Sequence, residues 1–290
     1  NYWYTRNKRF GEIGTYQVTQ CLTNAAAKCG FGFAGFVNGG LILSAIVSPF
    51  IALAMSIATT WKSSIKQLFS CNQSPLSATF KEYSNFPKYS LPRAIINFFS
   101  GTMPIFILTP YFGLTEIGFF GMALTLAFKP INMISSSLYQ VLFQKTSEQV
   151  QNRTSIKPQI FTFLRTSIYI IIPCFALLYF LLPSVIDILL GENWHETGEY
   201  IRLMLCWLAV SFLVAPICYI SDIFQKQKIG LFFEILLVLT RLAGLGFGIY
   251  TQSFFNAIVG YCIGSTVSIC AQLIWYISLI FNYERTVADL

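Results

Sequence analysis

Residues 166–183 read TSIYIIIPCFALLYFLLP, an apolar run without a charged side chain. A helix needs about 20 mostly apolar residues to cross the hydrocarbon core of a bilayer, and this run predicts such a span over residues 161–183. Of the 290 residues in the chain, 55% are hydrophobic and 11% are charged. A soluble domain carries roughly 25% charged residues. The composition therefore predicts an all-α polytopic membrane protein.

Seven further stretches qualify, so we predict eight transmembrane helices. They lie at about 13–33, 37–60, 91–112, 115–143, 198–222, 229–250 and 256–281. The first is the most polar because Gln17, Asn24 and Lys28 interrupt it. Polar side chains inside a membrane are expected to face other helices or water, since lipid offers them no hydrogen bond.

Lys and Arg residues are concentrated in every second gap between these stretches. Fifteen of the nineteen lie at Arg6, Lys8, Arg9, Lys62, Lys66, Lys81, Lys88, Arg93, Lys145, Arg153, Lys157, Arg165, Lys226, Lys228 and Arg285. Cytoplasmic connections retain Lys and Arg, so these gaps and both termini of this chain are predicted to be cytoplasmic. The net charge of +7 then reflects topology and the anionic inner leaflet, and no nucleic-acid partner is predicted.

A weak internal similarity suggests how the spans are grouped. The basic cluster at 6–9, the Gly-Phe-Gly at 30–32 and Asn38 recur as the cluster at 225–228, the Gly-Phe-Gly at 246–248 and Asn256. Each Gly-Phe-Gly is expected at the outer hinge of a helix pair. Similarity between halves is typical of parallel-repeat transporters; the alternative is chance recurrence in a chain rich in Phe and Gly.

If the two segments are equivalent, the chain divides into three parts. Residues 1–60 are the last two helices of an N-terminal lobe, 61–90 are a cytoplasmic linker, and 91–290 are a complete six-helix C-terminal lobe. Four helices of the first lobe would then precede this chain.

Four passages carry a resemblance to a known family. They are FPKYSLP (86–92), YFGLTEIGFFGMAL (111–124), YQVLFQKTSE (139–148) and LLGENWHETGEYIRL (189–203). From Tyr83 to Tyr283 the chain resembles the O-antigen-type polysaccharide flippases of the multidrug/oligosaccharidyl-lipid/polysaccharide exporter superfamily. The resemblance implies a two-lobe transporter with alternating access in the bacterial plasma membrane. Its substrate would be an isoprenoid-diphosphate-linked oligosaccharide, and its other partners membrane lipids and membrane proteins of polysaccharide assembly.

Lys129 stands before Pro130 near the middle of the predicted span 115–143. A central Lys costs about 2.5–3.5 kcal/mol on insertion scales, so something must compensate for it. Pro130 removes a backbone donor, and a kink there would open polar backbone toward a cavity. Alternatively, Lys129 bonds neighbouring carbonyls. The resembling family often has an Arg one turn earlier, where this chain has Thr125 on the same helix face.

Two further pairs of charges lie in the predicted spans. Glu234 and Arg241 are seven residues apart, nearly on one face of the span 229–250. Either each finds a partner on a neighbouring helix, or Arg241 joins Lys129 in a cationic cavity that binds diphosphate through charge-assisted hydrogen bonds. Arg202 and Asp222 lie near opposite ends of the span 198–222, where snorkelling is easier, and are weaker candidates.

Motifs for catalysis and for nucleotide cofactors are absent from the sequence, so neither an enzyme nor a cofactor is predicted. His195 and its neighbouring Glu residues have the spacing of metal ligands, but Gly191 and Gly198 bracket the run and no metal site is predicted. Candidate bend points are Gly101, Pro104, Pro110, Pro130, Pro173 and Pro216.

Two functional alternatives stay open. One is a cation-coupled multidrug exporter of the same superfamily, for which Glu234 is the comparable deep acid in these spans. The other is a non-transporting truncated remnant.

Overall fold

The computed structural model describes residues 10–35, 39–60 and 86–288. These residues fall into two compact units, one within residues 1–82 and the other within 83–290. Every regular element in the described ranges is helical, with no strand among them. The basic cluster at 6–9, Asn38 and most of the predicted linker lie outside the described residues.

The first unit contains two helices, α1 (Phe10–Phe33) and α2 (Gly39–Thr60), which pack against each other. The Asn24 side chain donates to the main-chain oxygen of Ser44 over 3.4 Å, as expected for a polar group that faces a neighbouring helix. Within the described residues, α2 provides a shorter apolar segment, Ile42–Met55. The transmembrane assignment of these two helices therefore stays a prediction.

The second unit contains six stretches that are long and apolar enough to cross a membrane. Their helices are α3 (Leu91–Leu108), α4 (Leu114–Gln151), α5 (Lys157–Leu190), α6 (His195–Val214), the short α7 (Ile220–Ile223), α8 (Gln227–Tyr250) and α9 (Phe254–Ala288). A π-helical turn, Phe86–Ser90, precedes α3. The chain is thus a polytopic membrane protein, and its described residues form an all-α structure.

The helices differ from the predicted spans in three respects. First, three helices are longer than predicted: α5 and α9 each extend past both ends of their spans, and α4 continues eight residues beyond position 143, because the polar sequence that follows still favours a helix. Second, the span predicted at 198–222 lies within one apolar helical stretch, Glu192–Ile223, but its α-helix stops at Val214 and a 3-10 turn, Ala215–Ile217, follows at the predicted bend point Pro216. Pro216 explains the break, because proline lacks an N–H donor and clashes with the preceding turn.

Third, the two Gly-Phe-Gly sequences do not form hinges. Gly246 and Gly248 lie inside α8, and the turn follows at residues 251–253. Gly30–Gly32 likewise lies inside α1. A Cβ added at Gly248 would lie 2.2 Å from Ala257 Cα, so this glycine serves close packing against α9.

The contact between α8 and α9 is a glycine seam, formed by Gly244 and Gly248 on α8 and by Gly260 and Gly264 on α9. An added Cβ at Gly244 would lie 2.3 Å from the carbonyl carbon of Gly260. Each helix contributes one G-x-x-x-G pair, the spacing that lets two membrane helices approach backbone to backbone. The seam therefore fixes the distance between α8 and α9.

Helix α6 lies at the centre of the second unit. It packs against α4, α5 and α9, and the side chains of Met204, Trp207 and Leu208 are almost fully buried. In the apolar part of the stretch that contains α6, half of the residues are buried, whereas in the apolar part of α5 only 11% are buried. Most of the α5 surface is therefore left for lipid.

The glycine seam predicts opposite effects for two nearby substitutions. Gly248→Ala should lower the Tm of the detergent-purified protein, since overpacking costs about 1–3 kcal/mol. Gly246→Ala is the control, because an added Cβ there meets nothing within 4 Å and alanine favours a helix. Thermal unfolding of both variants is the measurement, and an unchanged Tm in Gly248→Ala would contradict the seam.

Candidate functional site

Lys129 and Thr125 lie on the exposed face of α4. The Thr125 hydroxyl donates to the main-chain oxygen of Gly121 over 2.9 Å. Within the described part of the chain, the Lys129 ammonium has neither a hydrogen bond nor an ion pair, so neighbouring carbonyls do not hold it. Lys129 stands about 22 Å along the helix axis from Leu114, well inside the span.

Other polar residues share this face of α4. The polar stripe consists of Thr125, Lys129, Asn132, Ser136 and Gln140, all within about 60° of Lys129 around the helix. Four of the five are exposed, and Gln140 is partly exposed. The stripe is about 22 Å long. The opposite side of α4 carries the buried residues of the core, among them Phe120, Ala123, Ala127 and Leu142.

A polar stripe is costly on a surface that faces lipid. Hydrocarbon cannot hydrogen-bond amides or an ammonium group, and polar residues in spanning helices usually face a bundle interior or a water-filled cavity. We therefore expect this face of α4 to border water rather than acyl chains.

Arg241 lies in the interior of the second unit, with only 5% of the residue exposed. Its Nε donates to Ser265 Oγ over 2.9 Å and its Nη1 to Ser100 Oγ over 2.6 Å. The guanidinium also lies over the rings of Trp207 and Tyr261, with its carbon 5.2 and 4.9 Å from their centroids. No described carboxylate is within ion-pair distance. The structure thus places Arg241 in a buried polar contact, apart from the exposed face that carries Lys129.

Glu234 is also buried and has partners on a neighbouring helix, as one of the two alternatives predicted. Its carboxylate accepts from Arg93 Nε over 3.4 Å and from Asn97 Nδ2 over 3.0 Å. Arg93 also donates to Ser221 Oγ over 2.8 Å and to Tyr276 Oη over 3.3 Å. We call these five residues the Arg93 cluster. It joins α3, α7, α8 and α9 near one end of the unit.

The pairing of Arg93 with Glu234 was missed because Arg93 was counted only among the cytoplasmic charges. The predicted span 91–112 already contained Arg93, and Pro92 agrees with a helix start there, since proline is common at the first helical positions. Arg93 therefore belongs to the first turn of α3. Asn97, Ser100 and Ser265 were missed because uncharged polar residues do not stand out in a hydropathy profile.

Arg202 and Asp222 do not join either buried group directly. Arg202 forms an ion pair with Glu199 over 2.5 Å, and its guanidinium carbon lies 5.1 Å from the centroid of the Tyr179 ring. Both charged side chains of this pair are about one-third exposed. Asp222 lies in α7, where its Oδ1 is buried without a hydrogen-bond partner in the described structure.

The His195 region does not form a metal centre within the described residues, where no group of three His, Cys, Asp or Glu side chains is arranged to hold an ion. Instead, His195 Nδ1 lies 2.8 Å from Asp187 Oδ2. This contact connects the start of α6 to the last turn of α5.

The buried ion pair should be more important for stability than an exposed one. Glu234→Gln leaves the Arg93 charge buried without a carboxylate, and breaking a buried pair in this way costs about 3–5 kcal/mol. The double variant Arg93→Met/Glu234→Met removes both charges and should be the more stable of the two. Glu199→Gln is the matched control, because its pair with Arg202 is partly exposed and such pairs contribute about 0–1 kcal/mol. Thermal unfolding of the purified variants tests this order, and a Glu234→Gln protein as stable as the wild type would contradict it.

The water-facing character of the polar stripe can be tested by cysteine labelling. The eight native cysteines are first replaced by alanine. Asn132→Cys should then react with a charged, water-soluble maleimide in membranes, because thiolates react only where water reaches them. Ile170→Cys on α5 is the control: it is 62% exposed but lies in the uncharged apolar run 166–183, which we expect to face lipid. Equal labelling of the two positions would show that the stripe is not distinguished from the lipid-facing surface.

The comparisons with known proteins identify a family. A family model described as polysaccharide biosynthesis protein matches residues 1–199, more than half of the 290-residue chain. The match includes Lys129 and the whole polar stripe but ends before Arg241 and Glu234. No curated protein matches the chain, and no solved structure does. The chain belongs to this family of polysaccharide biosynthesis proteins.

Proposed function

We propose that the protein translocates an isoprenoid-diphosphate-linked oligosaccharide from the inner to the outer leaflet of the bacterial plasma membrane. Family membership supports a role in polysaccharide biosynthesis or export. The six apolar helices support a site within the bilayer. The observation that carries the proposal is the unpartnered Lys129 on the polar stripe of α4.

The chemistry of Lys129 suits the head group of such a lipid. A diphosphate is anionic, and an ammonium group offers three donors for charge-assisted hydrogen bonds. A central Lys costs about 2.5–3.5 kcal/mol on insertion scales, and a bound anion offsets part of that cost. Thr125, one turn away on the same face, supplies a hydroxyl beside the phosphate site. The isoprenoid tail remains in the bilayer.

Arg241 has a supporting role in this proposal. Its buried charge has no carboxylate partner within ion-pair distance among the described residues, so it adds positive potential to the second unit. Charge in a low-dielectric interior acts over longer distances than charge in water. Arg202 adds less positive potential, because its charge is paired with Glu199. The carboxylates of Glu234 and Asp222 lie near Arg93 and act as its charge partners.

The proposed architecture follows parallel-repeat transporters. In this arrangement α1 and α2 end a first lobe, the six spans of the second unit form the other lobe, and all eight cross the membrane. Rocking of the lobes then alternates access to the site, with both termini of this chain cytoplasmic. Membrane lipids and other membrane proteins of polysaccharide assembly are its proposed partners.

The multidrug alternative needs a deep acid that can exchange a coupling cation. Glu234 already accepts hydrogen bonds from Arg93 and Asn97. Release of that carboxylate would leave the Arg93 charge without its counter-ion in a buried position. The contacts of Glu234 therefore favour a structural role and, with the family match, polysaccharide export.

Transport by Lys129 variants of the full-length protein tests the proposal. In a strain that lacks its flippase, Lys129→Gln should reduce rescue of surface polysaccharide at least tenfold, with lipid-linked oligosaccharide accumulating in the membrane. Lys129→Arg should retain much of the rescue, because it keeps the positive charge. The matched control is Lys145→Gln, which removes another exposed lysine of α4.

Membrane levels of each variant are measured by immunoblot so that export is compared at equal abundance. Full rescue by Lys129→Gln, or an equal loss with Lys145→Gln, would overturn the assignment of Lys129 as the phosphate contact.

A further inference from the structure

The polar stripe changes its chemistry along α4. Lys129 carries a charge, whereas Asn132, Ser136 and Gln140 are neutral and follow it toward the end of the helix. The Asn132 and Gln140 amides make no hydrogen bond within the described part of the chain. The Ser136 hydroxyl donates to the main-chain oxygen of Met133 over 3.0 Å, which leaves its oxygen free to accept.

We propose that Asn132, Ser136 and Gln140 form a sugar-binding subsite, which contacts the glycan attached to the diphosphate at Lys129. This inference rests on the proposed function and adds the residues that recognise the sugar part of the substrate. Each amide presents donors and an acceptor, and each sugar hydroxyl is both donor and acceptor. Neutral groups of this kind match a glycan without requiring charge on it.

The spacing supports one continuous site. Asn132 lies about 4.5 Å along the helix axis from Lys129, and Gln140 lies about 16 Å from it. A lipid-linked oligosaccharide has the same order of groups, with its diphosphate at one end and its sugars following. With the diphosphate at Lys129, the glycan therefore runs along α4 toward Gln151.

Lipid is a poor occupant of the same face. Acyl chains would leave the amides of Asn132 and Gln140 without hydrogen bonds in an apolar medium, which is costly.

A second copy of this chain is also a poor fit. The close pairing of α8 with α9 uses glycines at four-residue spacing. On the stripe, the long side chains of Lys129 and Gln140 keep a neighbouring backbone away, and two copies of Lys129 would repel each other. Met133, about 40° around the helix from Lys129 and so on the same face, is 74% exposed and would add to the obstruction.

Two lipid probes separate recognition of sugar from recognition of phosphate. The full-length protein in lipid nanodiscs is titrated with farnesyl diphosphate, which has no glycan, and with an isoprenyl-diphosphate-linked oligosaccharide extracted from the producing strain. Asn132→Leu and Gln140→Met keep side-chain size but remove the amides. Each should weaken binding of the oligosaccharide lipid by about 3- to 10-fold, the usual effect of losing one neutral hydrogen bond. Affinity for farnesyl diphosphate should stay unchanged.

The controls distinguish failure of this inference from failure of the proposed function. Met133→Leu changes an exposed side chain near the stripe and should affect neither probe. Lys129→Gln should weaken both probes, and its failure to do so would count against the proposed function itself. Ser136→Val is an independent variant of the subsite, and all variants are required to elute as the wild type does in size-exclusion chromatography.

Three results would overturn the sugar-binding subsite. One is unchanged affinity for the oligosaccharide lipid in the Asn132, Ser136 and Gln140 variants. The second is an equal loss for both probes, which would show that these residues contact the head group. The third is conversion of a wild-type dimer to a monomer by Asn132→Leu, which would show that the stripe pairs two copies.

Discussion

The structure depends on the inability of hydrocarbon to hydrogen-bond. Every polar group inside a span must find a partner within the protein or border water. Hydroxyl groups meet this requirement locally, as Ser265 does by donating to the main-chain oxygen of Tyr261 over 2.7 Å. Larger groups need neighbouring helices, and the Arg93 cluster and the contacts of Arg241 are the two main examples in the second unit. Satisfied polar groups thus identify the helix interfaces.

These interfaces hold α3, α8 and α9 together at two levels. Arg93 reaches Glu234 at one level, and Arg241 reaches Ser100 and Ser265 at the other. Seven residues separate the two levels on α8, about 10 Å along its axis. The glycine seam brings the α8 and α9 backbones close enough for side chains as short as serine to take part. Close packing and polar contacts therefore depend on each other.

Hydropathy was sufficient to predict the helices of the second unit, because six long apolar stretches have no stable alternative in a membrane. Hydropathy does not show that the α-helix stops at Val214, because that break depends on backbone geometry; the proline itself gave the signal, since Pro216 was a predicted bend point. The pattern of basic residues did not reveal the ion pair between Arg93 and Glu234, since a charge that marks topology and one that pairs with a distant acid look alike in sequence. Lys129 was recognised because a charge in mid-span is rare. Its neighbours Asn132 and Gln140 were not, because only the helix geometry shows that they share its face.

Lys129 and Arg241 show two different solutions for a cation inside a membrane protein. The guanidinium of Arg241 matches its surroundings, because it donates to the hydroxyls of Ser100 and Ser265 and its carbon lies over the rings of Trp207 and Tyr261. Arg241 is therefore satisfied by the fold, and a ligand would have to displace existing contacts to reach it. Lys129 has no such contacts within the described chain, and its compact ammonium can form hydrogen bonds in several directions. A transported anion needs a partner that can be gained and released repeatedly, which favours the charge that the fold has left unpaired.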